Sequence, residues 1–560
     1  MDITGRKLFV KALKSEGVDT VFAYPGGVVT DLLDELGKDG TIRIVLPRHE
    51  QALIHEAEGY ARATGKTAVC IVTSGPGATN TVTGLTDAFL DSIPLVCFTG
   101  QVSLPLIGND AFQEVDTIGV TRNITKYGTT IRNRESLGRV IREAFYIAST
   151  GKPGPVIIDF PKDMQVANGD ADYPSKVDIR GYKPNEGVHV GQLKKAWKML
   201  KNAKKPIILA GGGINIARAN EKLFAFVKKT NVPVITTVMG KGSIPTDHEL
   251  YLGNAGMHGS YACNLAIKEC DVLFSLGTRF NDRITGDLEE FAPNASIVHI
   301  DIDSASISRN VVVDIPVVAD ANVALDKLNE WAAGIDTKEW IDTIRQWDEK
   351  YPMKMPHDVG LTPQVIMKTI NEVFPEAFIT TDVGQHQMWA SQFLELNEKK
   401  HMITSGGLGT MGFGFPAAVG AKIALPDTPV ICVTGDGSFQ MNMQEMATSV
   451  IEGAPVVICL LNNENLGMVR QMQNLFYGKR YVATSLKKDP EAEYVPDFMK
   501  WADSYGIEGI RVTTREEVLP AIQKAAANKD TTTLIEFIID PDEIVLPMVK
   551  GGDSTSDMIL

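Results

Sequence analysis

The 560-residue sequence predicts an α/β protein of three doubly wound domains with mainly parallel sheets. Three observations carry that expectation. Short apolar runs alternate with helical patterns, as in VDTVFAYPG, TAVCIVTSGPG, IPLVCFTG and PGPVIIDFP. The alternation resumes twice, first in KPIILAGGG, DVLFSLG and SIVHIDID, then in AFITTDVG, PVICVTGDG, PVVICLLNN and TTLIEFIID. Two polar stretches with Gly and Pro, near 165–190 and 333–362, read as linkers between these blocks. Domains over 1–180, 188–340 and 360–560 follow.

Composition narrows the function classes. Hydrophobic residues make up 44% and charged residues 22%, the balance of a soluble globular chain. The net charge of −14 argues against broad binding to nucleic acid or anionic membranes. No apolar run reaches the roughly 18 residues of a membrane-spanning helix. The first residues, MDITGRKLFVKALKSEG, form an amphipathic helix pattern without a secretory apolar core. Glu16, Asp19 and immediate entry into strand VFAY speak against a transit peptide, so a cytoplasmic location is expected. Cys70, Cys97, Cys432 and Cys459 sit inside apolar runs, and none of the six cysteines has C-x-x-C spacing. Buried, reduced thiols are expected rather than a zinc site.

The first and third blocks read as an internal duplication. Each runs helix, strand, Gly-x-Gly turn, helix and Pro-led strand. Gly75 to Pro94 is 19 positions and Gly435 to Pro455 is 20.

In the third block, strand VICVT ends at Gly435-Asp436-Gly437-Ser438, and strand PVVICLL ends at Asn462-Asn463. Ligands of doubly wound sheets bind outside the carboxyl ends of strands. Neighbouring strand ends would bring Asp436 and Asn463 together. A carboxylate, an amide oxygen, a backbone carbonyl, water and two phosphate oxygens make an octahedral oxygen shell, which suits Mg²⁺ bound through a diphosphate. GDG, 24 residues and NN is the spacing of the thiamine-diphosphate motif. Gly437 and Ser438 open the next helix, whose free N–H groups face a phosphate. Helix QMNMQEMATSVIE is expected to follow.

Val383, Gly384, Gln385 and His386 follow strand AFITTD and form a second candidate contact to the diphosphate. Gly407-x-Gly409-x-x-Gly412 matches a dinucleotide fingerprint. The next strand end is GDG rather than a lone acidic residue, so this loop reads as a glycine-rich wall around a ring system, with Met411 as an apolar wedge. In the first block, Glu50 opens a helix directly after strand TIRIVL, at a strand end where function gathers. Glu56 and Glu58, further along, read as structural or solvated. In the middle block, Gly211, Gly212 and Gly213 follow strand PIILA, where a phosphate of FAD, ADP or NAD could approach the backbone.

RHEQ, TSGPGATN, AFQE, PKD, GMHG, GTRFNDR, SGGLGTMGFG, GDGS…NN and LGMV together resemble the acetohydroxyacid synthase (acetolactate synthase) catalytic subunits, thiamine-diphosphate enzymes. The resemblance runs nearly end to end. It implies a pyrimidine-binding first domain, a central FAD-binding domain and a diphosphate-binding third domain. It also implies the reaction, in which pyruvate is decarboxylated and its two-carbon unit joined to a second 2-oxoacid. Acetolactate or acetohydroxybutyrate results, early in branched-chain amino acid synthesis.

Residue by residue, the resemblance gives Mg²⁺ to Asp436, Asn463 and the carbonyl of Asn465, and the pyrimidine ring to Glu50. Met411 and Met468 support the cofactor. Gln113, Lys162, Phe112, Val469 and Met472 fall at substrate-channel positions. FAD would meet Gly211, Gly212, Gly213, Thr237, Met257, His258, Gly277, Arg279, Asp282, Arg283, Asp301, Ile302 and Asp320. The flavin would be structural, since the net reaction is not a redox one. Sites shared between chains imply a homodimer or homotetramer, with a small regulatory subunit as a further family partner.

Met472 departs from the family, which places Trp there beside the incoming 2-oxoacid. A weakened preference for 2-oxobutyrate is expected. Three alternatives stand beside this reading. One is a pyruvate oxidase or another thiamine-dependent 2-oxoacid decarboxylase. Another is an NAD-linked dehydrogenase resting on GGLGTMG and GGGINIA. The third, a non-catalytic relative, predicts loss of Glu50 or Asp436, and both are present.

Overall fold

A computed structural model describes residues 2–355, 359–489 and 491–560. Three six-stranded sheets organise it, and every strand pair within them is parallel. The first sheet contains β1 (Thr20–Ala23), β2 (Arg43–Val45), β3 (Ala68–Val72), β4 (Leu95–Gln101), β5 (Tyr127–Thr130) and β6 (Pro155–Pro161). Its order is β2-β1-β3-β4-β6-β5. Strands β3, β4 and β6 are buried along their whole length, so they read as unbroken apolar runs.

The middle sheet contains β7 (Pro206–Ala210), β8 (Val234–Thr236), β9 (Tyr251–Asn254), β10 (Val272–Leu276), β11 (Ser296–Asp301) and β12 (Ile315–Val318). Its order, β9-β8-β7-β10-β11-β12, reverses between β7 and β10. That is the strand order of dinucleotide-binding folds, which hold their ligand at the reversal.

The third sheet contains β13 (Ala377–Thr381), β14 (Lys400–Thr404), β15 (Val430–Gly435), β16 (Val457–Asn462), β17 (Glu508–Val512) and β18 (Thr533–Ile538). Its order, β14-β13-β15-β16-β18-β17, repeats the permutation of the first sheet. This is the duplication expected from sequence.

The twin domains meet through equivalent helices, α1 (Glu50–Thr64) in the first and α2 (Gly414–Ala424) in the third. A Cβ on Gly59 would stand 2.0 Å from the carbonyl oxygen of Ala417. One on Gly420 would stand 1.8 Å from that of Glu56. One shift along the chain maps Gly59 onto Gly420 and Glu56 onto Ala417, so the crossing is a local two-fold.

Some expectations need correction. The stretch 333–362 is not all linker, because Lys338–Lys350 is a helix. Its Trp340, Ile341 and Ile344 bury against the middle domain at helical spacing, which its many charges masked. Residues 356–358 of that stretch lie outside the described residues. The helix expected over QMNMQEMATSVIE is broken into α3 (Asp436–Asn442), a tight turn at Met443–Glu445, and Met446–Ile451. Glu56 and Glu58 are not solvated, since both are fully buried. All six cysteines are free and buried, as expected.

Candidate active site

Strands β15 and β16 are neighbours, with Gly435 paired to Leu461, so their tips lie side by side. Asp436 is buried at one tip. The groups that hold its carboxylate are the Tyr494 hydroxyl, which donates to Oδ2 at 2.9 Å, and backbone N–H groups, that of Asn463 among them. Burial pushes Asp436 up to about 7. Such a carboxylate, held by neutral donors at a strand tip, suits a hard divalent cation.

Asn463 accepts from the N–H of Asn465 at 3.1 Å and donates to Gln385 Oε1 at 3.1 Å. Asn462 has a different task. It reaches across to Glu536 on β18 at 2.7 Å and ties the two strands together.

The turns around these tips leave no room for side chains. A Cβ on Gly437 would meet Leu466 at 2.6 Å, with the Met411 methyl at 3.9 Å. On Gly467 it would meet Gln385 Oε1 at 2.0 Å. Gly384 has φ of +150° and Gly409 of +77°, which suit glycine. Ser438 donates to the carbonyl of Val383 at 2.8 Å, and His386 is buried with Nε2 unpaired among the described residues. A backbone cradle beside an oxygen-donor pair fits a diphosphate and its metal.

The Met411 loop is anchored on the chain's own first domain. Ser405 Oγ donates to Asp87 Oδ1 at 2.6 Å, and Gly407 N–H to Asp91 Oδ1 at 2.6 Å. Arg62 at the end of α1 pairs with Asp91 at 2.7 Å.

One cavity of about 820 Å³ joins the third domain to the middle one, with Asp91 and Lys152 of the first domain also on its wall. Val383, Gly384, Gly409, Met411, Met468, Val469 and Met472 line it from the third domain, the last three on α4 (Gly467–Phe476). Gly212, Gly213, Thr237, Met257, His258, Gly277, Arg279, Asp282, Arg283, Asp301, Ile302 and Asp320 line it from the middle domain. Gly211 is not in the lining. It packs against Gly277 at the sheet reversal, where a Cβ would stand 2.2 Å from the Gly277 oxygen. Gln385 and His386 are likewise buried behind the wall.

Family comparisons agree with this geometry. The thiamine pyrophosphate enzyme models match in order, with the N-terminal TPP-binding domain over 3–120, the central domain over 193–328 and the C-terminal TPP-binding domain over 382–537. The acetolactate synthase large subunit of Corynebacterium glutamicum is 46% identical over 564 residues, covering 99% of this chain and 90% of that protein. That of Haemophilus influenzae is 44% identical over 568 residues, covering 100% and 98%. A probable acetolactate synthase large subunit of Methanococcus aeolicus is 47% identical over 579 residues, covering 100% and 95%. The chain belongs to the acetolactate synthase large-subunit family of thiamine pyrophosphate enzymes.

The remaining residues expected from this family's pattern lie in the first domain. Glu50 is the first residue of α1, whose start is capped by His49 accepting from Gln51 N–H at 3.1 Å. Asn80 donates to Glu50 Oε2 at 2.9 Å. A Cβ on Gly77 would lie 3.5 Å from Glu50 Oε1, and one on Gly75 would press on Gln113 at 2.8 Å. Lys162 pairs with Asp31 at 2.5 Å and donates to the Gly27 carbonyl at 3.3 Å. Phe112 is 87% exposed. None of Glu50, Phe112, Gln113 or Lys162 lines the 820 Å³ cavity. Asp436, Gly437, Ser438, Asn463 and Asn465 are not in its lining either.

Sequence reasoning missed Asn80 and Tyr494 as partners of Glu50 and Asp436. Asn80 lay within a quoted motif, TSGPGATN. Tyr494 sits in a loop 58 residues from Asp436, and no local signal marks it.

Proposed function

We propose that the chain catalyses acetolactate synthesis from two molecules of pyruvate with loss of CO₂, and accepts 2-oxobutyrate as second substrate. The observation that carries this reading is the buried Asp436 beside Asn463 at twin strand tips above a glycine cradle. Asp436, Asn463 and the Asn465 carbonyl would hold Mg²⁺, and the turns at Gly384, Gly437 and Ser438 would hold the diphosphate. Thiamine diphosphate supplies a nucleophilic carbon and an electron sink for decarboxylation. Glu50 holds the proton that the aminopyrimidine ring exchanges. Met411 would support the cofactor, and Met472 and Val469, which line the same cavity, would bound the second 2-oxoacid. FAD would sit in the middle-domain part of the cavity, at the strand reversal of a dinucleotide fold, and would serve there as a structural group.

Glu50 on the first domain and Asp436 on the third mark two half-sites, which complete each other only when a second copy lends its first domain to the third domain of this one. A homodimer is thus the smallest active unit in this reading. Exposed Phe112 is a surface such a partner would cover. A small regulatory subunit is a further partner suggested by the name of the relatives.

The test is an acetolactate assay on the pure protein with pyruvate, in the presence and absence of Mg²⁺, thiamine diphosphate and FAD. Activity requiring Mg²⁺ and thiamine diphosphate, without oxygen uptake, is expected. Oxygen uptake or acetyl phosphate formation would mark an oxidase instead. Glu50→Gln is expected to lose roughly 10²- to 10⁴-fold in rate, because an amide does not exchange the proton.

A further inference from the structure

We propose that Glu445 is a positioning residue for Glu50, gripping the start of α1 from the chain's own third domain. The proposal rests on the reading of Glu50 as the carboxylate that acts on the cofactor. Glu445 is fully buried in the turn Met443–Glu445, directly after α3. Both of its carboxylate oxygens accept from the backbone N–H of Arg48, at 3.0 and 3.0 Å. Arg48 stands two residues before Glu50 and one before the cap of α1. Thr448 Oγ1 donates to Glu445 Oε2 at 2.7 Å, and Gln444 Nε2 lies 3.4 Å from Oε1.

The second grip is on the body of the helix. Glu56 is fully buried, and neither of its oxygens has a donor among the described residues. The group it faces is the Glu445 carboxyl. Two buried carboxyls in contact share one proton, because both cannot ionise there. Burial raises both carboxyls, Glu56 the further, so Glu56 is the one that holds the proton beside a Glu445 that accepts from Arg48 and Thr448. Burial first, and the Glu445 charge second, push Glu56 well above the usual carboxyl range.

An apolar contact would hold these domains together at less cost than a buried acid pair. What the pair adds is geometry. It fixes α1 at its entry and a turn and a half further on, and so sets both its position and its rotation. Asn80 then holds Glu50 from the other side at 2.9 Å. A carboxylate that must meet one ring nitrogen needs this control, since errors near 1 Å cost roughly 100-fold in rate. The same short segment carries Asp436 at the start of α3, so α1 is referenced to the strand tip that the metal reading uses.

The experiment uses the holoenzyme. Exchange of the thiamine C2 hydrogen for deuterium is followed by NMR in native, Glu445→Ala, Glu50→Gln and doubly substituted protein. Glu445→Ala is expected to slow exchange roughly 10- to 100-fold, with dissociation constants for Mg²⁺ and thiamine diphosphate unmoved. In the Glu50→Gln background the same change is expected to slow it no further, because Glu445 acts through Glu50. In cofactor-free protein, amide hydrogen exchange at Arg48 is expected to accelerate in Glu445→Ala. Glu445→Gln keeps an oxygen for Arg48 and an N–H for Glu56, and is expected to restore most of the rate. If the alanine variant fails to fold, Glu445→Asp, with the charge kept and the reach shortened, is expected to show the same loss. Equal slowing with and without Glu50 would overturn the proposal in favour of a merely structural role. So would an unchanged Glu445→Ala beside an impaired Glu50→Gln. Native exchange in Glu50→Gln alone would instead sink the reading of Glu50, and the proposal with it.

Discussion

Burial and the Glu445 charge outweigh the Arg48 cation at Glu56, and that has a consequence for stability. In the unfolded chain it ionises near 4.3, whereas in the folded chain burial holds its proton to a much higher pH. Between those two values only the unfolded chain loses the proton. The group therefore contributes stability at acid pH that is lost as pH rises, at about 1.4 kcal/mol per pH unit within the window. Glu56→Gln lacks that slope. Calorimetric melting is expected to show the Tm of the variant, relative to native, rising as the pH is taken above the unfolded value of about 4.3. A difference independent of pH would mean that Glu56 is ionised in the folded state. Met472 makes a second prediction at this scale. It is half-buried in the cavity wall where the family places Trp. Met472→Trp is expected to raise the ratio of acetohydroxybutyrate to acetolactate when both 2-oxoacids compete, by roughly 10-fold or more, the worth of a well-filled apolar contact. A strong 2-oxobutyrate preference in the native protein would count against the reading.

The crossing of α1 and α2 shows what small residues do for an element. Carbonyl oxygens stand where Gly59 and Gly420 would carry a Cβ, at 2.0 and 1.8 Å. Gly59→Ala or Gly420→Ala forces the twin domains apart, and each is expected to cost about 1–3 kcal/mol, read as a fall in Tm. A neutral result would show that the crossing has slack. Elements were legible from sequence where burial is two-sided. Strands such as AVCIV and VICVTG have no polar face, so their ends stand out, and Asp436 and Asn463 with them. Legibility failed where charge density hid a helix, as at Lys338–Lys350. It failed again at MNMQEM, where a helical pattern conceals a tight turn that aims Glu445 at Arg48. Contacts such as Tyr494 with Asp436 join segments distant in sequence, and no local spacing encodes them.

At the scale of the whole molecule, two copies of one fold face each other through α1 and α2, and a dinucleotide-type domain is inserted between them in sequence. The duplication explains why the first and third sheets share a strand order and why each presents its strand tips as half of a site. In the proposed reading the task is split, with oxygen ligands and a backbone cradle on the third domain and a proton-holding carboxylate on the first. The halves meet between chains in the proposed reading. Mixing two inactive proteins tests this most directly, one carrying Glu50→Gln and the other Asp436→Asn, refolded or subunit-exchanged together. Hybrid dimers would rebuild one intact site from the sound half of each chain, and activity near roughly a quarter of native is predicted when chains pair at random. A mixture as inactive as its separate components, with hybrid dimers demonstrably formed, would show that each chain completes its own site and would contradict the account.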